Sequence, residues 1–424
     1  MFATVKQIFA PKNKEIRKRI LLTLAVLFVF RLGTAIVIPG VNISSLNNLG
    51  FLELFDFMGG GALSNVSIFA LGVSPYITAS IIIQLLEMDI VPYLAELSKQ
   101  GGTGRAKINQ ITRITGIILA FIQGYVFSFS YIKGYNVVDY MLFSLVLTAG
   151  TCFVMWMADQ ITSKGVGNGS SMIIMAGIVS SLPNMFKNAW IGFTGNNGNL
   201  GILFFALYVL IYIALIIGII YIETSERRIP IQYSNKTTGS FAKNQNFIPF
   251  KLNSAGVMPV IFASTLMYIP GIIAKFVNKE GLSNFVNHWL SMTSGTGFVL
   301  YILLIFAFSY FYTFLQMKPK EMAENLQKNG GYIPGVRPGT ETVNYVSKVL
   351  KSLTVVGALG LAFLAALPII FGIVTKLSNN ISIGGTGMLI VIGVCLETYK
   401  QIESQLVNHT YKKGRRRRWK VLFL

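Results

Sequence analysis

Ten long, mostly apolar stretches alternate with shorter polar segments along the chain. A helix needs about 20 apolar residues to cross the hydrocarbon core of a bilayer, so each stretch predicts a transmembrane helix. The predicted spans are 20–39, 74–93, 112–132, 140–158, 170–186, 200–222, 252–274, 297–317, 352–374 and 383–399. The pattern predicts an all-α membrane protein whose ten helices leave both termini on one side of the membrane.

A further apolar segment, MGGGALSNVSIFAL at 58–71, is too short to cross a bilayer. One interpretation is a frayed start of the second span. The triple glycine at 59–61 favours a separate segment, because irregular backbone at membrane depth is tolerated where protein or a water-filled cavity surrounds it. We therefore expect a short re-entrant helix that lines a cavity.

The segments that open the second and seventh predicted spans repeat each other. GVSPYITAS at 72–80 and GVMPVIFAS at 256–264 share six of nine residues. The two spans lie five helices apart, so the copies cross the membrane in opposite directions. Chance similarity is the alternative, but the equal division into five and five spans favours an inverted repeat, in which the functional path lies near the midplane between the halves. The proline in each copy predicts a broken or hinged helix.

The composition excludes an ordinary soluble enzyme. Charged residues make up only 12% of the 424 residues, whereas soluble domains carry about 25%. The formal net charge is +20, and one set of connecting segments holds 30 of the 36 Lys and Arg residues. Because cytoplasmic loops are enriched in Lys and Arg, both termini are predicted to be cytoplasmic.

The predicted organisation has five parts. They are a cytoplasmic amphipathic N-terminus (1–19), an N-terminal half (20–186), an external hinge connection (187–199), a C-terminal half (200–399) and a basic cytoplasmic tail (400–424).

The residues that catalysis would require are missing. No G-x-x-x-x-G-K-[ST] phosphate loop occurs, and His288 and His409 lie in distant loops. We therefore predict no enzyme activity, no cofactor and no metal site. Only Arg31 lies well inside a predicted span, where it could pair with helix carbonyls of the bundle. A membrane-embedded enzyme and a small-solute transporter would both need more polar or charged groups in the membrane, so a passive conduit driven from elsewhere is favoured, with the transporter as the main alternative.

Two predicted cytoplasmic loops, 223–251 and 318–351, are longer than simple connections require. The cations that they expose would suit an acidic protein surface or RNA phosphates. These candidate docking residues are Arg227, Arg228, Lys236 and Arg337. Charge that merely fixes topology is the alternative, and it explains the cations but not the loop lengths.

Seven segments carry a resemblance to a known family. They are VFRLGTAIVIPGV (29–41), GGALSNVSIFALGVSPYITASIIIQLL (60–86), GVGNGSSMIIMAGIV (165–179), ERRIPIQY (226–233), AGVMPVIFAS (255–264), GYIPGVRPG (331–339) and GGTGMLIV (384–391). Spread over essentially the whole chain, they resemble the bacterial SecY family, the channel subunits of the general protein-export translocase. The resemblance implies two five-helix halves and a lateral gate to lipid between helices two to three and seven to eight.

The resemblance also assigns residues to two parts of the channel. The constricting pore ring would consist of Val73, Ile77, Ile174, Ile261 and Ile390. The plug that seals the outer funnel would lie at about 58–71. Its central residues, here called the plug segment, are Gly60, Gly61, Ala62, Leu63, Ser64, Asn65, Val66, Ser67 and Ile68. A ring of branched aliphatic side chains is dry and can block ions by dewetting.

The partners that the resemblance implies are macromolecular. Arg337 would contact a SecA-type motor ATPase and the ribosome, and SecE-like and SecG-like small membrane subunits would accompany the channel. Unfolded preproteins would be the substrates, and membrane segments would leave sideways into the lipid bilayer. The location implied is the cytoplasmic membrane of a bacterium.

Overall fold

The computed structural model describes residues 13–39, 53–88, 90–131, 135–233, 246–277, 280–291, 294–375 and 387–406. Most of these residues are helical. The helices are α1 (Lys14–Gly33), α2 (Glu53–Gly59), α3 (Ser74–Leu86), α4 (Pro92–Lys99), α5 (Gly102–Tyr131), α6 (Val137–Lys164), α7 (Gly169–Thr224), α8 (Met258–Val277), α9 (Glu280–Trp289), α10 (Gly295–Met317), α11 (Pro319–Lys328), α12 (Thr340–Thr375) and α13 (387–406).

Six helical segments of the described chain are long and apolar enough to cross a membrane. They are Gly102–Ser130, Val137–Lys164, Gly169–Gly195, Gly201–Thr224, Gly295–Lys328 and Thr340–Gly372. Two shorter apolar helices, Ser74–Leu86 and Met258–Ala274, begin at the repeat copies. The chain is therefore a multi-pass membrane protein built mainly from helices.

The long helix α7 folds back on itself. It is helical over 56 residues, yet the ring centroids of Phe193 and Tyr208 lie only 6.0 Å apart. A straight helix rises 1.5 Å per residue and would separate these two positions by about 22 Å. The chain therefore reverses between Thr194 and Gly201, close to the predicted connection at 187–199, and two antiparallel spans result.

The first helix differs from the prediction, and so does the predicted plug at 58–71, here called the plug region. Helix α1 ends at Gly33 rather than at 39, because the residues after it pair with the plug segment instead of continuing the helix. The short helix predicted within 58–71 lies earlier, at Glu53–Gly59, and residues 60–73 form successive turns. Positive φ values at Gly60, Gly61 and Gly72 are incompatible with a continuous helix there.

A small sheet corrects the purely α-helical prediction. Strands β1 (Glu226–Tyr233), β2 (Asn246–Lys251) and β3 (Gly331–Tyr332) form an antiparallel sheet in the order β2-β1-β3. The segment ERRIPIQY buries Ile229 and Ile231 and exposes Pro230 between them, which is the period of two that a strand requires. Pro230 is tolerated because β3 pairs with β1 only at Gln232 and Tyr233.

The chain divides into two compact units. The first consists of Met1–Ala189, Gly271–Ser283 and Val394–Leu424, and the second of Trp190–Pro270 and Asn284–Gly393. The plug segment belongs to the first unit and the sheet to the second.

Candidate functional site

Gly60 and Gly61 end α2 and begin the plug segment. Both adopt positive φ, 75° and 82°, a conformation that favours glycine. The amide of Gly61 donates to the carbonyl of Asp56 (2.8 Å), and the amide of Gly60 donates to that of Phe57 (3.3 Å). This is the hydrogen-bond pattern of a Schellman cap. The glycine run therefore stops the helix, and the plug segment continues as turns.

The Asp56 carboxylate braces the plug segment from within. Its Oδ1 accepts a hydrogen bond from the amide of Ser64 at 2.8 Å, and Ser64 Oγ donates to the carbonyl of Gly61 at 3.0 Å. Burial raises the pKa of Asp56 above its usual 3.8, and the hydrogen bonds from Ser64 oppose this with a smaller effect. Asp56 could not be identified from the sequence, because its separation of eight residues from Ser64 matches no motif.

Three glycines on three different helices make room for the plug region. Gly33 of α1 lies against the Phe69 ring, Gly150 of α6 lies against the Ile68 carbonyl, and Gly177 of α7 lies against the Met58 carbonyl. A Cβ at any of the three glycines would overlap the atoms opposite it. We call these three glycines the seat, since only a residue without a side chain lets the backbone approach this closely.

The chain after α1 holds the far end of the plug segment by backbone hydrogen bonds. The amide of Ile38 donates to the carbonyl of Val66, and the amide of Ile68 donates to that of Ile36, both at 3.0 Å. Together they form an isolated antiparallel bridge centred on Val37 and Ser67. The plug segment is therefore tied to its own unit on one side by main-chain groups.

Arg31 contacts the near end of the plug segment. Its Nη1 donates to the carbonyl of Gly60 at 2.8 Å and to Thr34 Oγ1 at 3.3 Å. The sequence suggested pairing with helix carbonyls. Its long-range partner is instead the carbonyl of a turn, 29 residues further along the chain.

The five residues of the predicted pore ring are all buried, with exposed fractions between 2% and 7%. In the first unit, Val73 and Ile77 follow the plug segment directly at the start of α3. Ile174 lies one turn from Gly177 on α7, the glycine that meets the Met58 carbonyl. The first unit therefore gathers three of the ring residues next to the plug region.

The two repeat copies adopt the same local backbone. Gly72 and Gly256 both have positive φ, 53° and 62°. In each copy the amide of the isoleucine donates to the carbonyl of the valine four residues before it, at 3.1 Å for Ile77 and 3.3 Å for Ile261. The sequence repeat is thus also a repeat of conformation, with a left-handed glycine followed by a helix start.

The prediction that the repeated prolines hinge their helices is wrong. Pro75 and Pro259 lie in the first turns of α3 and α8, where proline has no helical hydrogen bond to lose. The prolines inside helices are Pro183, Pro270 and Pro368 among the described residues.

In the second unit the remaining ring residues lie on two helices that touch. A Cβ on Gly393 of α13 would overlap the side chain of Val257, so the helix beginning there, α8, and α13 are in close contact. Ile261 is one turn beyond Val257 and Ile390 is one turn before Gly393. The contacting faces therefore carry both isoleucines.

The sheet packs on the first turns of α12 around a cluster of buried side chains. We call the sheet and this part of α12 the loop platform. Its core consists of Ile229, Phe250, Ile333, Val346, Val349 and Leu350. The turn that carries Arg337 joins β3 to α12. The platform core thus fixes both ends of that turn.

The predicted docking residues separate into two kinds. Arg337 is exposed, while its main chain is fixed: its amide donates to Glu341 Oε2 (3.3 Å) and its carbonyl accepts from Thr342 Oγ1 (2.8 Å). Arg227 is also exposed. Arg228 instead forms an ion pair with Glu226 (2.8 Å) and lies over the Phe247 ring, 4.8 Å from its centroid. Lys236 lies outside the described residues.

Within the described ranges, no group of three or more His, Cys, Asp or Glu side chains could hold a metal ion. His409 lies outside those ranges. Cys395 is exposed, and its Sγ lies 3.5 Å from Met175 Sδ.

Residues 67–399 match the family model described as SecY. The chain belongs to the SecY family. Its relatives include the protein translocase subunit SecY of Staphylococcus carnosus, which is 44% identical over 429 residues, covering 97% of this chain and 99% of the relative. The same subunit of Bacillus subtilis is 45% identical over 428 residues, with the same coverage.

Solved structures of low sequence identity share the fold. A structure described as a protein conducting channel matches with a TM-score of 0.66 and 18% identity over 93% of each chain. Sec61 in a canine ribosome–channel complex matches with a TM-score of 0.63 and 17% identity, again over 93% of each chain. As a SecY family member, the chain is a protein-conducting channel subunit of the bacterial membrane translocase, and it is not an enzyme.

Proposed function

We propose that this chain forms the central pore through which unfolded preproteins cross the bacterial cytoplasmic membrane. Ten helices form two inverted halves, 20–186 and 200–399, joined by the external connection 187–199. Both termini, 1–19 and 400–424, face the cytoplasm. The matching backbone of the two repeat copies supports the inverted halves, and the concentration of Lys and Arg in one set of loops supports the orientation.

The constriction of this pore is the aliphatic ring, and the plug closes it on the outer side. The observation that carries the proposal is the placement of Ile77 and Ile261 at equivalent positions of the repeat, each buried and each five residues after a left-handed glycine. Branched aliphatic side chains bind no ion and form no obligatory hydrogen bond. They therefore suit a path that must pass side chains of every kind.

Membrane segments leave the pore sideways through a gate formed by α3 and α5 on one side and α8 and α10 on the other. SecE-like and SecG-like small subunits accompany the chain in the bilayer. The energy comes from a SecA-type motor ATPase or from the ribosome, which dock on the loop platform through Arg227 and Arg337. The exposure of both guanidinium groups supports this role, because an exposed cation remains available to a carboxylate or a phosphate.

Site-specific photocrosslinking with a stalled secretory polypeptide tests the path. We expect a photoreactive group at Ile77 or Ile261 to label the translocating chain. Matched controls lie on the same two helices: Ile82 of α3 is 39% exposed and Ile273 of α8 is 52% exposed. Adducts from the controls alone, or from none of the four positions while transport continues, would mean that Ile77 and Ile261 are ordinary core residues and do not line the path.

Reversing the charge of Arg337 tests the docking role. Arg337→Glu should abolish motor-driven translocation in membrane vesicles while the subunit still inserts, since the side chain is exposed and supports no core contact. Lys348→Glu, an exposed charge reversal on α12, is the matched control. Normal transport by Arg337→Glu would remove this residue from the docking surface.

A further inference from the structure

Arg31 lies well inside the first predicted span, where charged residues are rare. It lies in the last turn of α1, where its guanidinium also faces the carbonyl end of its own helix. Within the residues that the structure describes, no carboxylate pairs with it. Its long-range acceptor is the Gly60 carbonyl at 2.8 Å. A charge-assisted hydrogen bond of this length is stronger than a neutral one.

Gly60 is held from the opposite side by α7. A Cβ on Gly60 would overlap Ser180 Oγ and would come within 3.2 Å of Arg31 Nη1 and of the Gly177 carbonyl. On the same turn of α7, Ser181 Oγ donates to the carbonyl of Phe57 at 3.2 Å. The start of the plug segment is therefore enclosed between the guanidinium of α1 and the backbone of α7.

The two ends of the plug segment are held by different chemistry. The far end is tied by the main-chain bridge at 36–38 and 66–68, which no single side chain controls. At the near end, the contact with α1 is a single charged side chain. Removing that charge should leave the near end held by α7 alone and keep the bridge intact.

We propose that Arg31 is a positioning residue that keeps the plug in its seat through the Gly60 carbonyl, and that this bond must break before the pore can open. The inference rests on the proposed plug. The bond holds Gly60 until a competing acceptor or a movement of α7 displaces it. Losing one hydrogen bond to a charged group shifts an equilibrium roughly 10- to 150-fold.

The test measures resting ion conductance in planar bilayers, with the full-length chain purified from its membrane together with its co-purifying subunits. Arg31→Leu should raise the resting conductance at least about tenfold. Arg31→Lys should restore part of the seal, because it keeps a cationic donor. Arg19→Leu, an exposed arginine on the same helix, is the matched control and should behave as the parent does.

A second measurement reports the plug position directly. Ala62 is fully buried, so a cysteine there, in a chain with Cys152 and Cys395 replaced by serine, should react with a water-soluble maleimide only when the plug has left its seat. Arg31→Leu should accelerate this labelling, and a merely structural defect in α1 would not reproduce the partial rescue by lysine. If Arg31→Leu does not insert, Arg31→Gln removes the charge at similar length.

Deleting 60–68 separates this inference from the plug itself. If Arg31 acts by holding the plug, the deletion variant should conduct ions at rest, and adding Arg31→Leu to it should not raise that conductance further. If the deletion leaks while Arg31→Leu keeps the parental conductance and labelling, Arg31 is not the positioning residue, although the plug stands. If the deletion does not leak, both proposals are overturned.

Discussion

Replacing Phe250 with alanine should open the loop platform and impair motor-driven translocation, although Phe250 is buried away from any partner. Its exposed fraction is 0%, and it packs with Ile229, Val346 and Leu350 where the sheet meets α12. Truncating a buried phenylalanine to alanine costs about 3–5 kcal/mol. That cost raises the population of the open sheet by more than about a hundredfold.

Phe247 provides a matched control on the same strand. It is 46% exposed, and its described contact is the Arg228 guanidinium above its ring. An exposed cation–π contact contributes about 0.5–1 kcal/mol, so Phe247→Ala should change the same equilibrium less than about tenfold. The two variants remove the same side chain from two positions that differ mainly in burial.

Amide hydrogen exchange of peptides covering 226–233 and 246–251 measures the opening, because local opening of a sheet exposes its ladder amides to solvent. Phe250→Ala should accelerate exchange far more than Phe247→Ala, and only Phe250→Ala should slow ATP-driven translocation into vesicles. Equal exchange in the two variants would refute the burial argument. Rapid exchange with normal translocation would show that the platform does not position Arg337.

Three further variants probe the same features. Arg228→Ala should lower the stability of the β1–β2 hairpin by about 1 kcal/mol but leave motor binding unchanged, because its cation is already engaged; weaker binding of the motor would contradict this. Gly177→Ala should destabilise the packing of the plug region against the seat by about 1–3 kcal/mol and raise the resting conductance. Gly195→Ala, also on α7, has open space around the added Cβ and should leave the conductance unchanged. Burial raises the pKa of Asp56, so protonation of this carboxyl stabilises the seated plug relative to the displaced plug. This stabilisation is fully present below pH 3.8 and is lost as the pH rises through the raised pKa. Resting conductance should therefore fall on acidification, and Asp56→Asn, which keeps an acceptor for the Ser64 amide, should abolish that pH dependence.

Hydropathy and cation distribution were sufficient to predict a multi-pass helical membrane protein. Both signals are local, since a helix satisfies its backbone within one segment whatever its neighbours are. The reversal inside α7 also lies close to the connection that was predicted from the break in the apolar pattern. The strand ERRIPIQY was missed although its period of two was present, because residues between membrane spans were interpreted as loops.

The plug region shows where local patterns stop being informative. The glycine run at 59–61 indicated an unusual segment. It did not indicate that Gly60 and Gly61 would end a helix instead of forming part of one. Gly33, Gly150 and Gly177 are ordinary membrane-helix glycines by sequence. Their role depends on the backbone of the plug region, which is more than 80 residues away in sequence from Gly150 and Gly177. The partner of Arg31 is equally non-local, so its role could not be derived from the residues around it.

The plug contacts lie within the first unit and the loop platform within the second, which makes the two sets of variants independent tests. Substitutions at Arg31 and Gly177 change how strongly the plug is held, so they should raise the conductance of the resting channel without weakening motor binding. Substitutions at Phe250 and Arg337 change the docking surface, so they should reduce driven translocation without a resting leak. Because residues that share no contacts usually contribute additively, a double variant of Arg31 and Phe250 should show both defects at their separate sizes. A double variant that departs from that sum would mean that docking and plug release are energetically coupled through the chain even at rest.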